Sequence, residues 1–205
     1  MGYERESIPT LFSTATDWTL VRKSDCTEWY CSSYPYYYPA SEGFTYNLLE
    51  EYWNYEFYNG QVLETQAATD TICLADDGRP SSCTTDFKWL VGSWIADFRS
   101  YPIGAMVGLS SGGIGNTDRL LMYSLYDDGV ISENKFSVAL KDFDAEETLG
   151  LSHIDFGPPD ITAMSDESDL IWFDVIPGDF YWSNYVSGIK FDGLKEDVDS
   201  AFSFS

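Results

Sequence analysis

Carboxylates are the only chemically competent groups this chain carries in quantity. It has 34 Asp and Glu residues against 11 Lys and Arg, and one imidazole, His153. Two carboxylates can act as general acid and base when their surroundings push their pKa values apart. Nothing in the spacing singles out a pair suited to glycoside hydrolysis. A serine nucleophile needs an adjacent base, and none lies near Ser13 in sequence. The Gly- and Ser-rich stretch after Leu109 reads as a loop and not as a catalytic elbow. Gly113-Ile114-Gly115 lacks the third glycine and the preceding context of a dinucleotide site. His153 reads as a packed strand residue. With one His in the chain, no metal site and no cofactor are expected.

The elements that must position any site are mostly β. Phe12 to Val21 is β-prone, and Ile103 to Leu109 reads as a buried strand ending in a Gly-containing turn. A helix is expected around 117–127, capped by Asn116 or Thr117, with Asp118 in its first turn. Leu121 and Leu125 share one face of it, and Gly129 stops it. Phe136, Val138 and Leu140 alternate as a strand. Tyr55 to Leu74 reads as a hairpin turning at Asn59-Gly60. Phe87 to Ile95 and the stretch up to Asp192-Gly193 supply further strands.

Composition bounds the setting. At 205 residues, 44% hydrophobic and 17% aromatic, the chain can bury a core. A net charge of −23 repels nucleic-acid phosphates and anionic lipid, so neither is expected as a partner. The acidity is read first as a solubility device, and second as a match for a basic partner. No apolar run reaches the roughly 20 residues of a membrane span, so no membrane insertion is expected. Met1 to Glu6 has no signal-peptide core, and Glu6 stands where a myristoylation motif wants Ser or Thr. Of the three pairings open to four cysteines, spacing favours the local one, Cys26–Cys31 with Cys73–Cys83. Disulfides point to a secretory, vacuolar or extracellular compartment.

Val107-Gly108-Leu109, a loop, then Ser124 to Gly129, Ile131, Ser132, Phe136 and Ser137 follow a recognisable order. This stretch resembles the N-terminal lobe of pepsin-like aspartic proteases. The resemblance extends to the Cys26–Cys31 loop, to Tyr37, Pro39, Ser41, Thr45 and Tyr46, and to Leu151 to Asp160, where Pro158 and Pro159 replace the family's glycine and its neighbour. Leu170 to Gly193 resembles the crossover into the second lobe, anchored on Trp172, Val175, Tyr181-Trp182, Ile189 and Asp192-Gly193. It implies an incomplete bilobal fold, with 1–165 as the N-terminal lobe lacking its first strands and 166–205 as the crossover and start of the C-terminal lobe. It also implies that the chain belongs to a larger chain or assembly. Counting back from Asp70-Thr71-Ile72 places Tyr58 at the family's flap tyrosine, with Asn59 and Gly60 beside it as peptide-binding positions.

The family's reaction needs two aspartates, each in an Asp-Thr/Ser-Gly turn, sharing one proton. This chain contains no such triplet. Ser13 stands at the first catalytic position and Ala15 at the turn glycine. The second site falls in Val198 to Ser205, with Phe204 in the Asp position under one register and Asp199 retained under the other. The resemblance therefore implies a pseudoprotease that binds a peptide or protein partner. The alternatives are an endopeptidase whose catalytic aspartates lie outside this chain or in a partner, and a structural subunit of a larger assembly.

Overall fold

The computed structural model describes residues 8–23, 45–56, 62–74, 82–92, 103–112, 117–140, 153–159, 170–191 and 194–204. Six strands form one curled, barrel-like sheet: β1 (Thr10–Ser13), β2 (Leu20–Arg22), β3 (Asn47–Glu56), β4 (Val62–Cys73), β5 (Cys83–Gly92) and β6 (Ala105–Gly108). Their order is β1-β6-β2-β5-β4-β3. β1 runs parallel to β6, and β2 runs parallel to β5 but antiparallel to β6. A helix, α1 (Leu121–Asp127), follows. Two hairpins complete the described structure: β7 (Phe136–Ala139) with β8 (His153–Phe156), and β9 (Trp182–Phe191) with β10 (Leu194–Phe204). The mostly β architecture, with one short α-helix among the described residues, is the one read from the sequence.

Successive strand side chains point to opposite faces, so a sheet covered on both sides needs unbroken apolar runs. Trp89-Leu90-Val91, Ala105-Met106-Val107, Leu20-Val21 and Ala67-Ala68 are such runs. Leu20, Ala67, Leu90 and Met106 pack with Trp18 and Leu63 on one face. Val21, Ala68, Trp89, Val91, Ala105 and Val107 pack on the other, with Leu121, Met122 and Leu125 of α1 laid over them. Phe87 meets Trp89 edge-on there, with ring centroids 6.3 Å apart.

Three local expectations are corrected. Phe12 to Val21 is not one strand. The chain leaves β1 at Ser13 and enters β2 at Leu20, because side chains in between bond their own backbone: Ala15 N donates to Ser13 Oγ at 3.2 Å and Trp18 N donates to Thr16 Oγ1 at 3.1 Å. The helix begins late. Thr117–Arg119 is a 3-10 turn, and Leu120 is extended (φ −89°, ψ 112°) with no side-chain cap. The flanking charges are drawn elsewhere, Asp118 to Lys88 and Arg119 to Asp17. His153 is in a strand, β8, but is about half exposed, and its Nε2 lies 3.1 Å from Asp155 Oδ2.

The far end of α1 is as read. Gly129 takes φ 70°, and Val130 N donates to Leu125 O at 2.8 Å to close the helix. Asp128 then anchors the helix to the sheet, its Oδ2 accepting from Thr84 Oγ1 at 2.5 Å and Thr85 N at 3.0 Å. Cys73 and Cys83 are opposite one another on β4 and β5 and form a disulfide. That bond is compatible with an oxidising compartment. Cys26 and Cys31 lie outside the described residues. Among the described residues, no helix is long and apolar enough to cross a membrane.

Candidate functional site

The parallel pairing of β1 with β6 puts Ser13 opposite Gly108. Beyond that pair the two chains stay stitched: Leu109 N donates to Ser13 O at 2.8 Å, and Ser110 N to Thr16 O at 3.0 Å. A Cβ on Gly108 would lie 2.6 Å from Thr16 O and 2.8 Å from Trp18 O, both backbone atoms, so only glycine allows this approach. The Ser13–Trp18 turn is thus held rigidly against the end of β6. The side chain held at its start is a hydroxyl.

The carboxylate nearest in sequence, Asp17, is spoken for. It is 3% exposed and forms an ion pair with Arg119 of the 3-10 turn. The Arg119 guanidinium also lies 4.8 Å over the centre of the Trp18 ring, and Trp18 packs on Trp53 of β3 with centroids 5.4 Å apart. Burial pushes the Asp17 carboxyl above its usual range. Arg119 pulls it back down without cancelling the shift, and Asp118 adds to the rise. Tyr55 sits by the same turn. Burial raises its phenol pKa, a bond from Thr16 lowers it, and Asp17 and Tyr181 raise it further.

Behind the Gly108–Ser111 turn is a cavity of about 340 Å³. Leu120, Leu121, Met122, Phe136, Trp172 and Trp182 are among the residues that line it. Trp182 Nε1 donates to Leu109 O at 2.7 Å, and Ser111 Oγ donates to Asp179 O at 2.7 Å. These bonds fasten the start of β9 to the loop that holds Ser13.

The sequence-predicted residues fall unevenly. Ser13 is where β1 meets Gly108. Phe204 is paired in register with Trp182, so the Ser13 loop and the end of β10 are linked through Trp182 and Leu109. Asp199 falls in the register shift between Asp197 and Ser200 of β10. Tyr58, Asn59 and Gly60 lie outside the described residues. Asp17, Arg119 and Tyr55 were not singled out as a cluster, because residues so distant in sequence meet only through the sheet. Gly108-Leu109-Ser110-Ser111-Gly112 does have Gly-x-Ser-x-Gly spacing. It makes no elbow. Ser110 is buried with its Oγ accepting from Gly112 N at 3.3 Å, and among the described residues the α-helix that follows begins only at Leu121. Among the described residues, no group of His, Cys, Asp and Glu is arranged to hold a metal ion.

No protein-family model matches the chain, and no curated protein matches it.

Proposed function

We propose that this chain is a catalytically inactive relative of the pepsin-like aspartic proteases, acting as a peptide- or protein-binding component. The observation that carries the reading is the Ser13 turn. A sheet-bound loop, held beside Gly108 of β6 by backbone bonds, carries Ser13 and Ala15, the residues that the sequence resemblance aligns with the family's catalytic aspartate and turn glycine. Asp17 does not substitute, because its carboxylate is buried and paired with Arg119. A hydroxyl cannot share a proton with a second-site carboxylate at mildly acidic pH.

Binding without cleavage needs only strand edges and pockets. The β3–β4 hairpin projects Tyr52 and Trp53 into solvent, and Ile171, Trp172 and Phe173 are exposed beyond β8. The exposed apolar run 171–173 favours assembly with a protein partner. An oxidising compartment, secretory, vacuolar or extracellular, goes with this reading and rests on the Cys73–Cys83 disulfide.

The test is equilibrium binding of a library of extended peptides to the purified native protein at mildly acidic pH, with every peptide weighed afterwards. Saturable, weak binding of peptides that come back intact is the expected result. Peptides returned in two pieces would remove the reading.

A further inference from the structure

The cavity behind the Gly108–Ser111 turn plays no part in the reading above, yet its chemistry is well defined. At about 340 Å³ it is at the small end of volumes seen for small-molecule sites. What sets its preference is the state of its polar atoms. Trp182 Nε1 is used by Leu109 O, and Ser111 Oγ by Asp179 O and Phe180 O. Ser110 Oγ accepts from Gly112 N. Lys135 Nζ is 2.6 Å from Glu133 Oε2 and 5.2 Å from the centre of the Trp172 ring, so its charge is both paired and spread over an aromatic face. The wall is otherwise mainly apolar and aromatic, with the Tyr123 hydroxyl and the Asn134 amide as its further polar groups. A ligand charge placed among the apolar side chains would lose its hydration, and the Lys135 ammonium on the wall is already shared with Glu133. An anion would also meet the field of a chain with net charge −23.

We propose that this cavity is a binding site for an uncharged, largely apolar aromatic compound, seated between Trp172 and Trp182. Trp172 lines the cavity while 66% exposed, so a ligand meets its ring from the solvent side, and Trp182 is fixed by its bond to Leu109 O. Rings entering between them gain edge or face contacts with both indoles, in addition to burying area against Leu120, Met122 and Phe136.

Two probes with one ring skeleton decide the matter: neutral phenylnaphthylamine, and anilinonaphthalenesulfonate, which adds a negative charge. Each is titrated into the full chain, following probe emission and tryptophan quenching. The neutral probe is expected to bind at one saturable site, roughly tenfold or more tighter than the sulfonate. Trp172→Ala should weaken it about fivefold to tenfold. Asn134→Trp, at an exposed position of the rim, should block it. Tyr52→Ala, at an exposed tyrosine on β3 away from the cavity, should leave it unchanged. All three positions are exposed, and far-UV circular dichroism with a melt checks that each variant folds. Equal or tighter binding of the sulfonate would overturn the ligand class. Absence of saturable binding, or equal losses in Tyr52→Ala and Trp172→Ala, would overturn the site.

Discussion

Replacing Arg119 with Met is the sharpest perturbation of the fold around Ser13. Arg119 is the partner of a carboxylate that is 3% exposed, and its own side chain is 15% exposed. At contact distance and an effective dielectric near 20, such a pair attracts by about 4 kcal/mol. Removing one partner of a buried pair typically costs about 3–5 kcal/mol, because the other charge is left without compensation. The cost must depend on pH, and its sign follows from Asp17. Burial already raises the folded-state pKa of Asp17 above its unfolded value, so its contribution favours the fold fully below the unfolded pKa and is lost as pH rises through the folded one. Without Arg119 the folded pKa rises further. Arg119→Met should therefore lose about 3–5 kcal/mol at neutral pH, a fall in Tm of roughly 6–20 °C for a chain this size. Near pH 4 Asp17 protonates in the variant, and the difference from the parent should shrink to about 1–2 kcal/mol of lost packing and hydrogen bonding. Urea unfolding of parent and variant at both pH values measures this. Lys135→Met, which removes an exposed positive charge, controls for the change in net charge. A difference that is the same at both pH values, or under about 1 kcal/mol at neutral pH, would refute the reasoning.

Other outcomes follow from single contacts. Gly108→Ala forces a Cβ onto the backbone at Thr16 and Trp18 and should cost about 3 kcal/mol or more, read by chemical denaturation. Replacing Cys73 and Cys83 together by Ser opens a loop with a sequence separation of 10 and should lower stability by about 2–3 kcal/mol; non-reduced peptide mapping of the parent should recover the Cys73–Cys83 link. Asp128→Ala leaves Thr84 Oγ1 and Thr85 N without their acceptor and should cost about 1–3 kcal/mol, with hydrogen exchange accelerating first at the start of β5.

What was legible in the sequence was what is local. Gly129 is a helix stop in any context that puts it at φ 70°, and the strand pair expected from the Tyr55 to Leu74 stretch is met by the antiparallel pairing of β3 with β4. The strand expected over Phe87 to Ile95 is found as β5 (Cys83–Gly92) within the described residues. What was not legible depends on long-range geometry. Phe12 to Val21 has strand composition throughout, but Ser13 Oγ and Thr16 Oγ1 capture backbone amides and turn the chain. Asp17 reads as one more acid among 34, and only the packing of the 3-10 turn against β5 brings Arg119 to it. The cavity is equally invisible in one dimension, since Leu120, Phe136, Trp172 and Trp182 lie far apart along the chain.

The central claim is that a hydroxyl at Ser13 and a committed Asp17 leave this chain unable to cleave peptides. The most direct measurement incubates the purified native protein with a broad peptide library from about pH 3 to 7, the range in which an aspartate dyad titrates, and follows the products by mass spectrometry. No new termini are expected at any pH, and Ser13→Asp combined with Ala15→Gly should yield none either. Cleavage by the native protein that a transition-state mimic of the aspartic class abolishes would contradict the account.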